Sequence, residues 1–489
     1  MPKPRSFHVA NFTEIINELS GIIGREQIKS EPDAVAKYSV DDLTPRAVVF
    51  PANTKEVSEV MRCAHKNDIS MVVWGSGTKM GMGNPPKNLD LVLCTKRMNH
   101  MLDVDVANLT ITVEAGVKFR DIQARLGTQE DRCYLPIEDL ETEADEFICS
   151  DRSHSGCFLP IDPLYAEKAT IGGIIAANST GPRRLLYNLP RDQILGVRFV
   201  TPQGDIIGSG GKTVKNVSGY DISKLMLGSF GSLGVITEIT LRLLPLPEKM
   251  ETVAISFGSF ADAAACAEKI FETTLLPAAV EVMNDTACEA LGMQDVPKVA
   301  KGGCLLAAAF EAFTPAVERM KKEILEMGKA IGSDDDAVFS EDDHRVFWLK
   351  VSDINSTLKT KSPGLIGVKY NYPISEWKGL LEFAKDTLDK SGLEFSVQAH
   401  SGNGISHINL LFAKDDSDAV EKGVKALDQL LEKCLSVEGN MVVQNAPVEL
   451  KNKLKVWGKP GSDFVAMKRI KEEIDPAGIM SKGRYIGGL

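Results

Sequence analysis

The sequence predicts an α+β protein of two lobes, and three observations carry that reading. Residues 47–74 parse as strand, helix, strand. Two glycine-rich blocks, ATIGGIIAANSTGPRR over 169–184 and SGGKTVKNVSGYDISKLMLGSFGSLGVITEITLRLLPLPE over 209–248, break otherwise apolar runs. Beyond Pro247 strands alternate with amphipathic helices to about Lys455, the pattern of a mixed sheet with helices on one face. At 489 residues the chain is long enough for more than one domain, and 43% hydrophobic residues allow a sizeable core. A formal net charge of −11 excludes nucleic acid and anionic membrane as direct partners, since both select a basic surface.

Residues 1–44 form an N-terminal helical segment. Its first helix has the stripe Ile15, Ile16, Leu19, Ile22 and Ile23, and Ser30, Pro32 and Asp33 open a second. The domain 45–247 follows. Asn53 and Glu56 make a capping pair ahead of the face Val57, Val60, Met61 and Ala64. The strand 70–74 runs into Gly75-Ser76-Gly77-Thr78 and then Gly81 and Gly83. No helix follows, so the loop reads as an anion-binding nest of backbone amides and not as a nicotinamide site. After a strand at 109–117 and a helix at 119–126 comes an acidic insertion, 128–158. It has nine carboxylates between Glu130 and Asp151, opposed by Arg132 and Arg152, with Cys133, Cys149, His154 and Cys157 at spacings that match no common metal set. Strands at 195–200 and 206–208 form a hairpin about Gln203-Gly204-Asp205, and LLPLPE at 243–248 closes the domain. The second lobe spans 248–455. A C-terminal segment, 456–489, holds a helix at 461–474 stopped by Asp475-Pro476.

Nine cysteines are scattered without a CxxC pair, so neither a disulfide framework nor a cluster site is signalled. No apolar run reaches membrane-spanning length and the first residues lack a signal-peptide core. A cytoplasmic protein is expected, without direct membrane insertion and with any membrane association made through a partner.

The stretch SVQAHSGNGISHINLLF over 396–412 reads as two alternating strands joined at Asn403-Gly404. With those two residues as the loop, His400 falls opposite His407, their Cβ atoms about 5 Å apart. Two imidazoles at that spacing suit either a shared divalent metal or acid–base work.

The glycine-rich blocks, in this order, resemble the FAD-binding domain of the vanillyl-alcohol oxidase or PCMH-type flavoprotein superfamily. Their C-terminal halves are similar to the FAD-binding subunits of bacterial glycolate oxidase and D-lactate dehydrogenase. The resemblance implies a two-lobed FAD-binding domain followed by a substrate or cap domain, with the tail GIMSKGRYIGGL returning to the flavin. It places FAD against Gly75, Ser76, Gly77, Thr78, Gly81, Pro160, Ile171, Gly172, Gly173, Asn178, Gly181, Gly234, Val235, Ile236 and Arg484. Because 74–83 lacks the histidine that links flavin in some members, the FAD is expected to be non-covalent. His400 and His407 match the histidines of the family's HxGDGNxH-type metal motif, but Gln444-Asn445 stands where its Glu-His pair is expected. A polar histidine pair lining the flavin cleft is therefore preferred over a bound metal such as zinc, whose third ligand is missing. WLKVSD offers only Lys350 where an arginine is usual, and Lys369 is the cation expected to meet a substrate carboxylate.

The implied chemistry is oxidation of a small 2-hydroxy acid of the D-lactate or glycolate type to the 2-oxo acid, with His400 or His407 as base. Electrons would pass to a separate iron–sulfur subunit, which the acidic insertion would contact. The alternative is a flavin-bearing electron-transfer or scaffold subunit without substrate turnover of its own.

Overall fold

The computed structural model describes residues 12–127, 156–212, 219–293, 295–413 and 416–489. The acidic run, with Cys133, Cys149 and His154, lies outside the described residues. Helix Phe12–Ile23 turns Ile15, Ile16, Leu19 and Ile23 inward against helix Thr54–Lys66. Asn53 caps that second helix, its Oδ1 accepting from Glu56 N at 3.0 Å, while Glu56 Oε2 accepts from Ala52 N at 2.7 Å. The expected capping pair thus closes on the residue before the cap.

Strands β1 (Ile28–Lys29), β2 (Ala47–Val49), β3 (Met71–Trp74) and β4 (Leu91–Cys94) form a sheet in the order β1-β2-β4-β3. The last three are parallel and β1 closes an edge antiparallel. The unbroken apolar run of β4 suits a parallel strand covered on both faces. The chain then makes β5 (Met101–Asp105), β6 (Thr110–Glu114), the short β7 (Cys157–Phe158), β8 (Ile194–Val200), β9 (Ile206–Gly210) and β10 (Val235–Arg242). All but β7 form an antiparallel sheet in the order β5-β6-β10-β8-β9, and β7 pairs with β11 (Leu244–Pro245). The two sheets and helix Ile171–Ala176 make the first lobe.

The second lobe is one eight-stranded sheet of β12 (Lys249–Phe257), β13 (Ala279–Asn284), β14 (Cys304–Ala312), β15 (Asp335–Ser340), β16 (Ile366–Asn371), β17 (Glu394–His400), β18 (Ile405–Leu411) and β19 (Asn440–Asn445). Its order, β15-β12-β14-β13-β17-β18-β16-β19, contains two βαββαβ units, each ordered fourth, first, third, second, and joined along β13 and β17. Within each unit the strands of a βαβ step run the same way but sit two places apart. Neighbours are therefore antiparallel throughout, and the mixed pairing of the molecule lies in its first sheet.

Helices Phe260–Phe271, Thr314–Ile331, Trp377–Ser391 and Ser417–Ser436 cover one face of this sheet. Helices Asp285–Leu291 and Glu341–Lys361 cover part of the other, so coverage is not confined to one face as expected. The alternation of each strand decides what remains. Val280, Val282, Val368, Tyr370, Ala399, Ile408 and Val443 point into the helix-covered core. Their neighbours Glu281, Lys369, His400, His407 and Gln444 point the opposite way. This polar half-face is where the two lobes meet.

The tail closes the first lobe. Met71 N donates to Ile479 O at 2.7 Å and Ser481 N to Met71 O at 2.8 Å, adding a short extended segment beside β3. Buried Lys471 pins it by bonding Asp475 Oδ2 at 2.6 Å, Ser232 O at 2.7 Å and Met480 O at 2.9 Å.

Candidate active site

The chain leaving β3 turns through Gly75 to Thr78, and here a cleft opens between this turn, Thr170 to Gly173, Ser229 to Gly231 and Arg484. Of the residues expected to hold cofactor, Gly75, Ser76, Gly77, Thr78, Gly172, Gly173, Gly234, Ile236 and Arg484 all line it. Gly77 has φ +80, and a Cβ there would come 2.5 Å from the Trp74 ring, so glycine is required at the turn. Gly173 is different: its nearest neighbour is Thr170 Oγ1 at 3.2 Å, so a side chain added there would occupy the cleft.

Polar groups on this wall await a ligand. Thr170 Oγ1, Ser229 Oγ and Arg484 Nε are buried without hydrogen-bond partners. Arg484 reaches the cleft from the tail, its NH2 bonded to Met80 O and Met82 O at 2.8 Å each. Burial lowers it to about 10, which leaves it cationic at neutral pH. Buried Arg484, unpartnered hydroxyls and a glycine turn fit a long cofactor with an anionic centre.

Other expected cofactor residues stand elsewhere. Ile171 and Val235 are buried in apolar core, Pro160 is off the wall, and Gly181 packs against Asp162. Gly81 faces Asn445 across an adjoining cavity, and Asn178 lines a second one with Lys369 and His407. Thr170, Ser229, Phe230 and Lys79 line the cleft although sequence reasoning passed over them. A lysine inside a glycine loop is the visible signal for Lys79, whereas GSFGS at 228–232 shows none that singles out Ser229 or Phe230.

The histidine hairpin folds in a different register from the one expected. His400 pairs with Ile405 and Gln398 with His407, so residues 401–404 form a four-residue loop. A two-residue turn of the Asn-Gly kind needs positive φ at both positions; Gly402 and Gly404 have it, at 83° and 63°, and Asn403 does not. The two histidines are instead diagonal neighbours on one face, their ring centroids 5.0 Å apart.

Each imidazole is held through Nδ1. His400 Nδ1 lies 2.6 Å from Glu281 Oε2 on the paired strand β13, and His407 Nδ1 lies 2.8 Å from Gln444 Oε1 on β19. Both Nε2 atoms are buried and unpartnered. Burial pulls His400 down to about 3, assisted by Lys369 and Arg184. Burial, then His400 and Lys369, pull His407 well below its usual value. Both rings are therefore neutral at physiological pH. An amide oxygen only accepts, so His407 donates from Nδ1 and carries its lone pair on Nε2. Glu281 is raised well above the carboxylate range by burial. Protonated, it donates to His400 Nδ1, and the Nε2 of that ring carries a hydrogen.

Lys369 faces His407 across the β16–β18 pair and is brought down to about 8 by burial and by Arg184, so it is largely cationic at neutral pH. Arg184 was not expected here. Lys350 is exposed and stands off the lining of these cavities, while Trp348 donates to Thr252 Oγ1 at 2.9 Å inside the core. Among the described residues the carboxylate missing from the later motif has no substitute as metal ligand: Gln444 is an amide, and Glu281 is engaged at His400 Nδ1. Among the described residues no three His, Cys, Asp or Glu side chains converge on a point.

The profile of the FAD binding domain matches residues 45–133 and 152–210, and that of the FAD linked oxidases, C-terminal domain, matches 246–485. The chain is 30% identical over 464 residues to the glycolate oxidase subunit GlcD of Bacillus subtilis (strain 168), covering 92% of this chain and 90% of that one. The chain belongs to the FAD-linked oxidase family. As an FAD-linked oxidase it is an oxidoreductase with FAD as its cofactor. It is also 28% identical over 474 residues to the D-2-hydroxyglutarate dehydrogenase of Xanthomonas citri pv. viticola, covering 94% of each chain. The solved structure of p-cresol methylhydroxylase with substrate bound superposes with a TM-score of 0.73 at 16% identity, covering 99% of this chain and 98% of that one. This FAD-linked oxidase therefore has the PCMH-type α+β fold. No helix among its described residues is long and apolar enough to cross a membrane.

Proposed function

We propose that this chain oxidises a small 2-hydroxy acid to the corresponding 2-oxo acid, with FAD held non-covalently in the cleft between Gly75 to Thr78, Gly173 and Arg484. FAD, when bound, supplies the acceptor for the hydride that leaves the substrate Cα. Lys369 pairs with the substrate carboxylate. His407 takes the hydroxyl proton on Nε2, its tautomer held by Gln444. His400 presents an N–H to a substrate oxygen, oriented by Glu281. The observation that carries this reading is the neutral His407, its unpartnered Nε2 beside cationic Lys369 in a cavity that shares Lys79 with the cofactor cleft. Names of relatives, a glycolate oxidase subunit and a hydroxyglutarate dehydrogenase, support the same substrate class.

The two electrons must then leave. Among the described residues no cysteines gather into a cluster site, which supports a separate iron–sulfur protein as recipient. Anaerobic addition of 2-hydroxy acids to purified, FAD-loaded protein is expected to bleach the flavin colour, and His407→Asn to slow bleaching by ~10²-fold or more. If neither D-lactate, glycolate nor D-2-hydroxyglutarate bleaches it, the chain is a carrier of flavin electrons without substrate turnover.

A further inference from the structure

We propose that the acid oxidised here carries a second anionic group, held by Lys79 with Lys168 and Lys359 beyond it, so that the substrate is a short 2-hydroxydicarboxylic acid. This rests on the hydroxy-acid reading above and moves it away from the monocarboxylic acids that the sequence suggested.

Lys79 follows the Gly75 to Thr78 turn and is only 8% exposed. Its Nζ donates to Leu164 O at 3.2 Å and lies 5.5 Å from the Tyr165 ring centroid. No carboxylate among the described residues forms an ion pair with it. The side chain stands where three cavities meet: the cofactor cleft, the cavity of Lys369 and His407, and a third that also contains Lys168 and Lys359. Among the described residues no Asp or Glu lines either of the last two, in a protein whose net charge is −11. The rest of the molecule thus carries the negative excess and this corner is kept cationic.

A buried ammonium without a counter-ion is costly, and burial lowers Lys79 to about 7. An anion seated beside it restores the charge. A monocarboxylate bound at Lys369 would leave Lys79 unanswered, whereas a substrate with a second carboxylate reaches both. Sites that bury a polar group for one substrate discriminate strongly against an analogue that lacks the matching group. Cofactor phosphate is a rival ligand for Lys79, but the cofactor cleft already has Arg484 and the backbone amides of the turn.

The test compares D-2-hydroxyglutarate with D-lactate on the FAD-loaded full chain and on Lys79→Met. Wild type is expected to favour the dicarboxylate in kcat/KM by roughly 30-fold or more, the effect of truncating one side of a buried charge pair. Lys79→Met should keep its FAD and lose most of that preference through KM for the dicarboxylate. Equal use of the two acids by wild type, equal losses for both in the variant, or loss of FAD from the variant would each overturn the proposal. Should neither acid be oxidised, titrating the bound flavin's spectrum with succinate and propionate still decides. Succinate binding tighter by ~10-fold, with that advantage gone in Lys79→Met, sustains the dianion site while the oxidation reading fails; equal binding overturns the site.

Discussion

A glutamate in an apolar strand, Val280-Glu281-Val282, sets the state of the histidine beside it. Glu281 has one oxygen at 2.6 Å from His400 Nδ1 and the other buried without a partner. A protonated carboxyl tolerates that better than a carboxylate, because the unpartnered atom is then a neutral carbonyl oxygen. A side-chain amide can make the same donation. Glu281→Gln is therefore expected to retain kcat/KM within about 5-fold, whereas Glu281→Leu, which strands Nδ1, should cost roughly 1–3 kcal/mol of transition-state stabilisation. If the glutamine variant is as impaired as the leucine variant, Glu281 is ionised and His400 has the other tautomer. The glutamate was visible in the sequence as the lone acid of a buried run. Its partner was not, because β13 and β17 lie more than a hundred positions apart and are joined only by the meeting of two sheet units.

Among the elements, the short helix Arg184–Tyr187, strand β14 and helix Glu341–Lys361 are locked by a buried cluster centred on Glu311. Arg183 Nε and NH2 lie 2.8 and 2.5 Å from its two oxygens, Tyr187 Oη 2.6 Å and His344 Nε2 3.3 Å. Burial pushes the Glu311 carboxyl up, but Arg183 and His344 more than reverse this and hold it below the usual range. The cluster couples the cofactor lobe to the catalytic sheet and positions Arg184, the cation next to Arg183. Glu311→Ala removes the carboxylate from a buried guanidinium, a change that costs about 3–5 kcal/mol. Thermal unfolding should show a clearly lowered Tm; an unchanged Tm would mean that the lobes are held by apolar contact alone. Nothing in AAFEAFT or GPRRLLY announces the pairing of Glu311 with Arg183, since the two are 128 residues apart in sequence.

At the scale of the whole molecule, the two lobes separate cofactor from catalytic side chains, and the tail binds the cofactor lobe shut. Arg484 belongs to a segment whose nearest strand, β3, is some four hundred residues earlier. The acidic insertion leaves helix Phe119–Gly127 and returns at β7, which pairs with β11 at the domain's end. It has no evident use in holding an anionic cofactor, and complementary charge chiefly governs the rate and salt sensitivity of association. Deleting 130–150 is expected to leave FAD content unchanged and to weaken co-purification with an iron–sulfur partner. Normal assembly by that variant would reduce the insertion to a solvated loop.

Sequence alone determined the α+β class, the glycine turn after β3 and the presence of two histidines on one hairpin. Each is a local matter of periodicity, of residues that permit tight turns, or of short-range spacing. Tertiary structure decided the rest. Which glycines face the cleft and which pack against Asp162 or the rest of the fold depends on segments that cross in space. Only the four-residue loop set the diagonal placement of His400 and His407, and only the meeting of the lobes brought Glu281, Gln444, Arg184 and Lys79 to them. Burial in that meeting place, and not residue type, is what pulls both histidines down, pushes Glu281 up and brings Lys79 down to about 7, where an anion seated beside it would restore its charge.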